Sequence, residues 1–255
     1  MSKYIKYNEC LVEINGKKML GLSADLNADA SLAPSKPIEV NSVDYRANAA
    51  LSASLNVSYY VTGLEDHISS LTGDHSCSGS FGGIKFSGAY LNKYSVDIEP
   101  YVPVVFSANF SIFSGYDESS ITPDSFSGNA LDFANGAYTD INNIDSINVG
   151  IDYPVSINYS VDCERVPSYE IGSEFACGVR YGTVTKSLSI DGENIGSFID
   201  FSGKNIAKVS LTPKSMNNSR RGEVIECEGV IYSQNLSVSK GDVLGGSISI
   251  TERVR

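Results

Sequence analysis

Tryptophan is absent from the chain, histidine occurs only twice, and charged residues make up 19%. No stretch approaches the ~20 apolar residues that a membrane-spanning helix needs, so membrane insertion is not expected. The opening, MSKYIKYNECLVEING, lacks the apolar centre of a secretory signal. Basic residues are in deficit: 19 Lys and Arg stand against 30 Asp and Glu, a formal net charge of −11. A surface of that sign repels phosphate, which argues against a reader of DNA or RNA sequence. The same charge also serves plain solubility. The cysteines, Cys10, Cys77, Cys163, Cys177 and Cys227, are odd in number and irregularly spaced. That argues against a disulfide framework. Reduced thiols, buried as small hydrophobes in a protein made in a cytoplasm, are expected. Without a secretion signal, triplets such as Asn56-Val57-Ser58 read as by-products of alternation.

What the chain has in quantity is serine, glycine and asparagine, which suits a β protein with many turns. Its clearest stretch is Phe86 to Gly115. Tyr94, Val96 and Ile98 alternate with Ser95 and Asp97. After a turn at Glu99-Pro100-Tyr101, Val104, Phe106, Ala108, Phe110 and Ile112 alternate with Ser107, Asn109 and Ser111. A period of two is a half-buried strand. A weaker version closes the chain at Cys227 to Val254, with Leu236 and Val238 before Lys240-Gly241-Asp242 and Ile248 and Ile250 after it. Gly88 aligns with Gly229, and Ser95-Val96 with Ser237-Val238, if one residue is inserted in the later copy.

In chain order, residues 9 to 22 read as a hairpin around Asn15-Gly16. Ala33 to Pro37 reads as an extended loop, because proline donates no ladder bond. Ala49 to Val61 alternates again. Gly63 to Gly73 is the one helix expected: Leu64, Ile68 and Leu71 share a face, Glu65 and Asp66 sit in its first turn, and Gly73 stops it. Asp74 to Gly83 reads as a loop. Residues 116 to 143 break the pattern and read as a linker or excursion. From Ile144 the alternation returns, with a hairpin expected at Asp191-Gly192 and a polar, basic loop at Lys214 to Gly222. The expected architecture is all-β with one short helix. It comprises two tandem related antiparallel β-sandwich or partly open barrel domains, 1–115 and 144–255. One larger sandwich is the alternative.

The search for chemistry yields no catalytic, cofactor-binding or metal-binding assignment, and no cofactor is expected. His67 and His75 lie near Asp66, Asp74 and Cys77, but without the compact repeated spacing of a zinc site. Gly79-Ser80-Phe81-Gly82-Gly83 precedes a strand rather than the helix start that a phosphate cradle needs, and reads as a flexible loop. Asp140, Asp145 and Asp152, with Asn142 and Asn143, lack the spacing of a calcium loop. Arg220-Arg221 with Lys214 is too small a cluster for a nucleic-acid groove.

The segment GIKFSGAYLNKYSVDIEPYVPVVFSANFSIFSG resembles the C-terminal strands of tailed-bacteriophage tail tube proteins. The resemblance lies in Gly88-Ala89-Tyr90-Leu91, in the serine-rich alternation Tyr94 to Ile98, and in a last strand from Val104 to Gly115. Leu64 to Leu71 stands where that family keeps its helix, and CEGVIYSQNLSVSKGDVLGGSISI matches the same pattern. The resemblance covers about a third of the chain; the irregular linker and the missing second helix depart from it. It implies a non-enzymatic virion protein, assembled in the host cytoplasm and located in the tail. Such domains form stacked rings, with six domains around a channel, so the resemblance implies trimeric rings for a duplicated chain or hexameric ones otherwise. Its partners would be other copies and other tail, neck or baseplate proteins, with DNA passing through without specific binding. The alternatives are a capsid decoration, neck or baseplate, or receptor-binding β-sandwich module, and a glycan hydrolase on a β-sandwich, which would need paired carboxylates.

Overall fold

The computed structural model describes residues 12–29, 32–35, 44–47, 50, 52–60, 68–73, 75–99, 102, 104–113, 116–117, 141–147, 153–173, 175–193, 206–215, 225–238 and 244–254. They are almost entirely strands. In chain order these are β1 (Val12–Ile14), β2 (Lys17–Asp29), β3 (Leu32–Ser35), β4 (Asp44–Ala47), β5 (Ser52–Tyr60), β6 (Cys77–Phe81), β7 (Ile84–Ile98) and β8 (Val105–Ile112). They continue with β9 (Tyr116–Asp117), β10 (Ile141–Ile147), β11 (Tyr153–Ser168), β12 (Gly178–Glu193), β13 (Ile206–Ser215), β14 (Ile225–Ser237) and β15 (Gly245–Arg253). The expected alternation is realised over β5, β7 and β8. Leu55, Leu91, Phe110 and Ile112 are essentially inaccessible, while the serines and asparagines between them face outward. Burying each such apolar side chain contributes roughly 1.5–3 kcal/mol.

Thirteen strands form one antiparallel sheet in the order β10-β13-β14-β15-β12-β11-β7-β6-β1-β2-β5-β8, with β9 beside β7. Among the described residues the sheet as a whole is not closed, since β10 ends it. At the other end β8 pairs with β7 as well as β5, so β7, β6, β1, β2, β5 and β8 form a circuit. Within this sheet the strands from β1–β8 and from β10–β15 are therefore joined edge to edge through β7 and β11. Among the described residues, pairing order recurs along the chain. The first part pairs β2–β5, β5–β8, β8–β7, β7–β6 and β6–β1; the second pairs β11–β12, β12–β15, β15–β14, β14–β13 and β13–β10. The one step without a counterpart is β1–β2. Where it would place β10 against β11, β11 lies against β7 instead.

Several expectations are corrected. The helix over Gly63 to Gly73 is, within the described residues, a single 3-10 turn, Ser69–Thr72. Ile68 and Leu71 are buried as expected, but their spacing of three suits the tighter helix, and serine and threonine favour no longer one. Leu64 to His67 lie outside the described residues. Ala33 and Pro34 belong to β3, which pairs with β4 in a separate two-stranded sheet, an edge position that proline tolerates. Asp74 to Gly83 is not all loop: Cys77–Phe81 is β6. Its glycines are needed, because Gly82 and Gly83 turn with φ of 58° and 89°. A Cβ at Gly79 would stand 2.3 Å from the Glu13 carbonyl oxygen. Asp191-Gly192 makes no hairpin. It lies inside β12, paired on one edge with Ser156 and Pro154 and on the other with Ser247 and Gly246, so two ladders override a local turn preference. The stretch 116–143 contains β9 and the start of β10, and Lys214 and Ser215 belong to β13. The Asn15-Gly16 turn holds as expected, with φ of 49° and 76°.

Arg165 ties the parts together. Its Nε donates to the Leu91 carbonyl at 3.1 Å and its Nη2 to the Gly73 carbonyl at 2.7 Å, while its guanidinium lies 5.1 Å from the centre of the Tyr181 ring. One arginine of β11 thus fastens β7, the 3-10 turn and β12.

Candidate functional surface

Alternation puts every second residue of the sheet on one face, and register decides which of them meet. Ser23 of β2 faces Ser58 of β5, which faces Ser107 of β8, which faces Ser95 of β7. Ser95 faces Ser160 of β11, then come Ser187 of β12 and Thr251 of β15. A row of hydroxyls therefore crosses seven strands and runs through the β7–β11 joint without interruption. The next row carries Asp97, Asn158, Ser189, Ser249 and Ser233. Within these rows Ser58 and Ser107 hydrogen-bond at 3.0 Å, and Ser189 and Ser249 at 3.2 Å. Asn92 donates to Asn109 at 3.0 Å, Asn109 donates to Asn56, and Asn158 donates to Asp97. These short side chains satisfy one another, which holds the face smooth.

The charge on this face is mostly negative. Asp25, Asp29, Asp97, Asp162 and Asp191 are exposed on it. Lys93 is also there, 3.7 Å from Asp162; Asp191 accepts from Ser156 at 2.8 Å. A shallow depression of about 220 Å³ lies between β2, β5, β8 and β7, lined by Ser23, Asp25, Asn56, Ser58, Lys93, Ser95, Ser107 and Asn109. Hydroxyls, amides, Asp25 and Lys93 give it hydrogen-bonding capacity without a nucleophile held against a base.

Residues weighed for chemistry are scattered. His75 is exposed and Cys77 buried; Asp66, His67 and Asp74 lie outside the described residues. Asp145, Asn142 and Asn143 belong to β10, while Asp140 and Asp152 lie outside the description, as do Arg220 and Arg221. Among the described residues no group of His, Cys, Asp and Glu is arranged to hold a metal ion. No described helix is long and apolar enough to cross a membrane. Cys77, Cys163 and Cys227 are buried free thiols. Burial pushes Cys77 up to about 12 and Cys227 to about 11, the latter helped by Glu252, and raises Cys163 as well. Such thiols are poor nucleophiles at neutral pH. Cys177 departs from the buried expectation: it is exposed, held by its hydrogen bond to the Ser168 carbonyl.

Alternation in the sequence marks the serines one strand at a time; that they line up is set by inter-strand register, for which the sequence carries no local signal. Comparison with family models and with curated proteins finds no match for this chain.

Proposed function

We propose that this chain is a structural virion protein of a tailed bacteriophage, built from two tandem related modules of tail-tube type. It assembles into a ring or stacked tube through which DNA passes. The observation that carries this reading is the hydroxyl row across both parts of the sheet, flanked by carboxylates. A channel wall for DNA must wet the polymer without gripping it. Serine and asparagine supply hydrogen bonding with no positive charge to neutralise phosphate, and aspartate keeps the backbone at a distance. The recurring pairing order supports the tandem reading, and the hairpins that resemble tube proteins, β7–β8 and β14–β15, occupy corresponding places in it. The polar face is the lumen wall, and the opposite face carries the core.

The test is electron microscopy of the purified chain. Rings or tubes with an open bore are expected. A species that stays monomeric at high concentration, or an assembly whose bore is lined by other faces, overturns the proposal.

A further inference from the structure

The recurring pairing order has a gap, and among the described residues the gap leaves two strand edges without a neighbouring strand. Strands β2 and β11 correspond. Each runs along its successor, β5 or β12, and each bulges at the same step: at Leu22 between Gly21 and Ser23, and at Val155 between Pro154 and Ser156. Strands β7 and β14 correspond likewise. Their bulges fall at Asn92 and at Tyr232, after Leu91 opposite Phe110 and after Ile231 opposite Ile250. The bulges align the strands residue by residue and correct the alignment expected from the sequence: Ser95-Val96 stands at Asn235-Leu236 rather than at Ser237-Val238, and Ala89, not Gly88, stands at Gly229.

Within the chain, β11 lies on β7 with Ile157 opposite Ile98, Asn158 opposite Asp97, Tyr159 opposite Val96 and Ser160 opposite Ser95. It uses the second half of a β7 edge whose first half is taken by β6. On β14 the first half of the corresponding edge, Ile225 to Val230, is taken by β13. The second half, Asn235 to Val238, has no strand against that edge among the described residues. Nor does the matching edge of β2, from Ala24 to Asn27, since β1 reaches only as far as Met19. The side chains register the difference. Val96 and Ile98 are 0% and 4% exposed; their counterparts Leu236 and Val238 are 37% and 68% exposed.

We propose that a second copy of this chain fills the gap, with β2 of one copy lying antiparallel on β14 of the next. Ala24 stands opposite Val238, Asp25 opposite Ser237, Leu26 opposite Leu236 and Asn27 opposite Asn235. The occupant is a second copy because the chain already makes this joint once within itself. The pairs suit each other: apolar faces apolar, Asn faces Asn, and Asp faces Ser, with no like charges opposed. Each copy offers β2 in one part of its sheet and β14 in another, so the contact is head-to-tail and covers both open edges. The inference deepens the ring reading above and rests on it for closure of the assembly; the joint itself comes from the repeat.

The test is a disulfide across the joint, with Asn27→Cys and Asn235→Cys combined in a chain carrying Cys10→Ser and Cys177→Ser. Directly opposed residues have Cα atoms roughly 4.5–5.5 Å apart, within the ~4.4–6.8 Å that a disulfide spans. Mild oxidation is expected to give a ladder of covalent oligomers containing more than half of the chain. The parent carrying only Cys10→Ser and Cys177→Ser should give none, and the shifted pair Asp25→Cys with Asn235→Cys several-fold less. A shifted pair that links better than the designed one overturns the register. Absence of a ladder overturns the joint. Rings without a ladder overturn the joint and leave the tube reading standing; a ladder whose assemblies enclose no bore overturns the tube reading and leaves the joint.

Discussion

Leu91 and Ile231 occupy the same position in two different hairpins. Each is the last residue before a bulge, one opposite Phe110 and the other opposite Ile250. Beyond the bulge the environments part: Val96 is covered by β11, and Leu236 is left partly in water.

That contrast predicts opposite outcomes for one substitution. Val96→Asp places a carboxylate where nothing pairs with it, and the isolated chain should lose its cooperative melt. Leu236→Asp should shift the stability of dilute monomer by no more than about 0.5–1 kcal/mol, as surface changes do, yet reduce assembly at least tenfold. Thermal denaturation at low concentration, paired with sedimentation at high concentration, separates the two.

Gly229 lies in β14 where a Cβ would stand 2.0 Å from the Thr251 carbonyl oxygen. At Gly79 it would stand 2.3 Å from the Glu13 carbonyl oxygen. In both cases the obstacle is backbone. Gly229→Ala and Gly79→Ala should each cost about 1–3 kcal/mol through overpacking. Gly16→Ala meets no crowding but must adopt φ of 76°, so its cost is pure backbone strain. Urea midpoints measure all three.

Removing Arg165 should weaken the junction of β7, the 3-10 turn and β12 together. Arg165→Ala is expected to cost about 2–3 kcal/mol, because hydrogen bonds from charged groups carry about 1.5–3 kcal/mol each and partly compensate on loss. Arg165→Lys should recover little, since an ammonium group cannot reproduce the forked contacts to Leu91 and Gly73. Equilibrium unfolding checks both variants.

The buried thiols set a pH dependence. Their folded values are raised above the unfolded value of 9.0, chiefly by burial, so the folded chain holds protons that the unfolded chain gives up. Stability is therefore complete below pH 9 and falls as pH rises toward 11 and 12. Replacing Cys77 and Cys227 by Ala should flatten that slope. In a Cys10→Ser background, a thiol reagent at pH 8 should label Cys177 within minutes and the three buried thiols only after denaturation.

If the polar face is a lumen wall, its carboxylates keep DNA from adhering. Replacing Asp97, Asp162 and Asp191 by Lys should convert a chain that does not retard DNA at 0.15 M salt into one that does. The retardation should fall steeply as salt rises, as counterion release requires. A wild-type chain that retards DNA under the same conditions contradicts the proposed role.

How much of this was legible beforehand differs by element. The strand pattern of Phe86 to Gly115 could be read outright, because alternation is a local property and a side chain's face follows from parity. The Asn15-Gly16 turn was equally plain, since positive φ at both positions is a property of those residues. Asp191-Gly192 misled because its turn preference was outweighed by neighbours on both edges of β12, which no local pattern announces. The helix at Gly63 to Gly73 misled for another reason: Ile68 and Leu71 fit a 3-10 turn as well as an α-helix. The polar surface was half visible. Its serines could be counted, and the row they form could not.

By itself the amino-acid order determined that this is a β protein with one polar and one apolar face to its principal strands, an acidic balance and two hairpins of one design. Only the tertiary structure decided that those hairpins sit at corresponding places in one sheet, that β11 crosses to β7, and that half of one β14 edge has no strand against it among the described residues. The physical reason is that facing depends on neighbours in the chain, whereas pairing depends on hydrogen bonds between segments far apart in it. A two-residue period is the same whichever strand lies alongside.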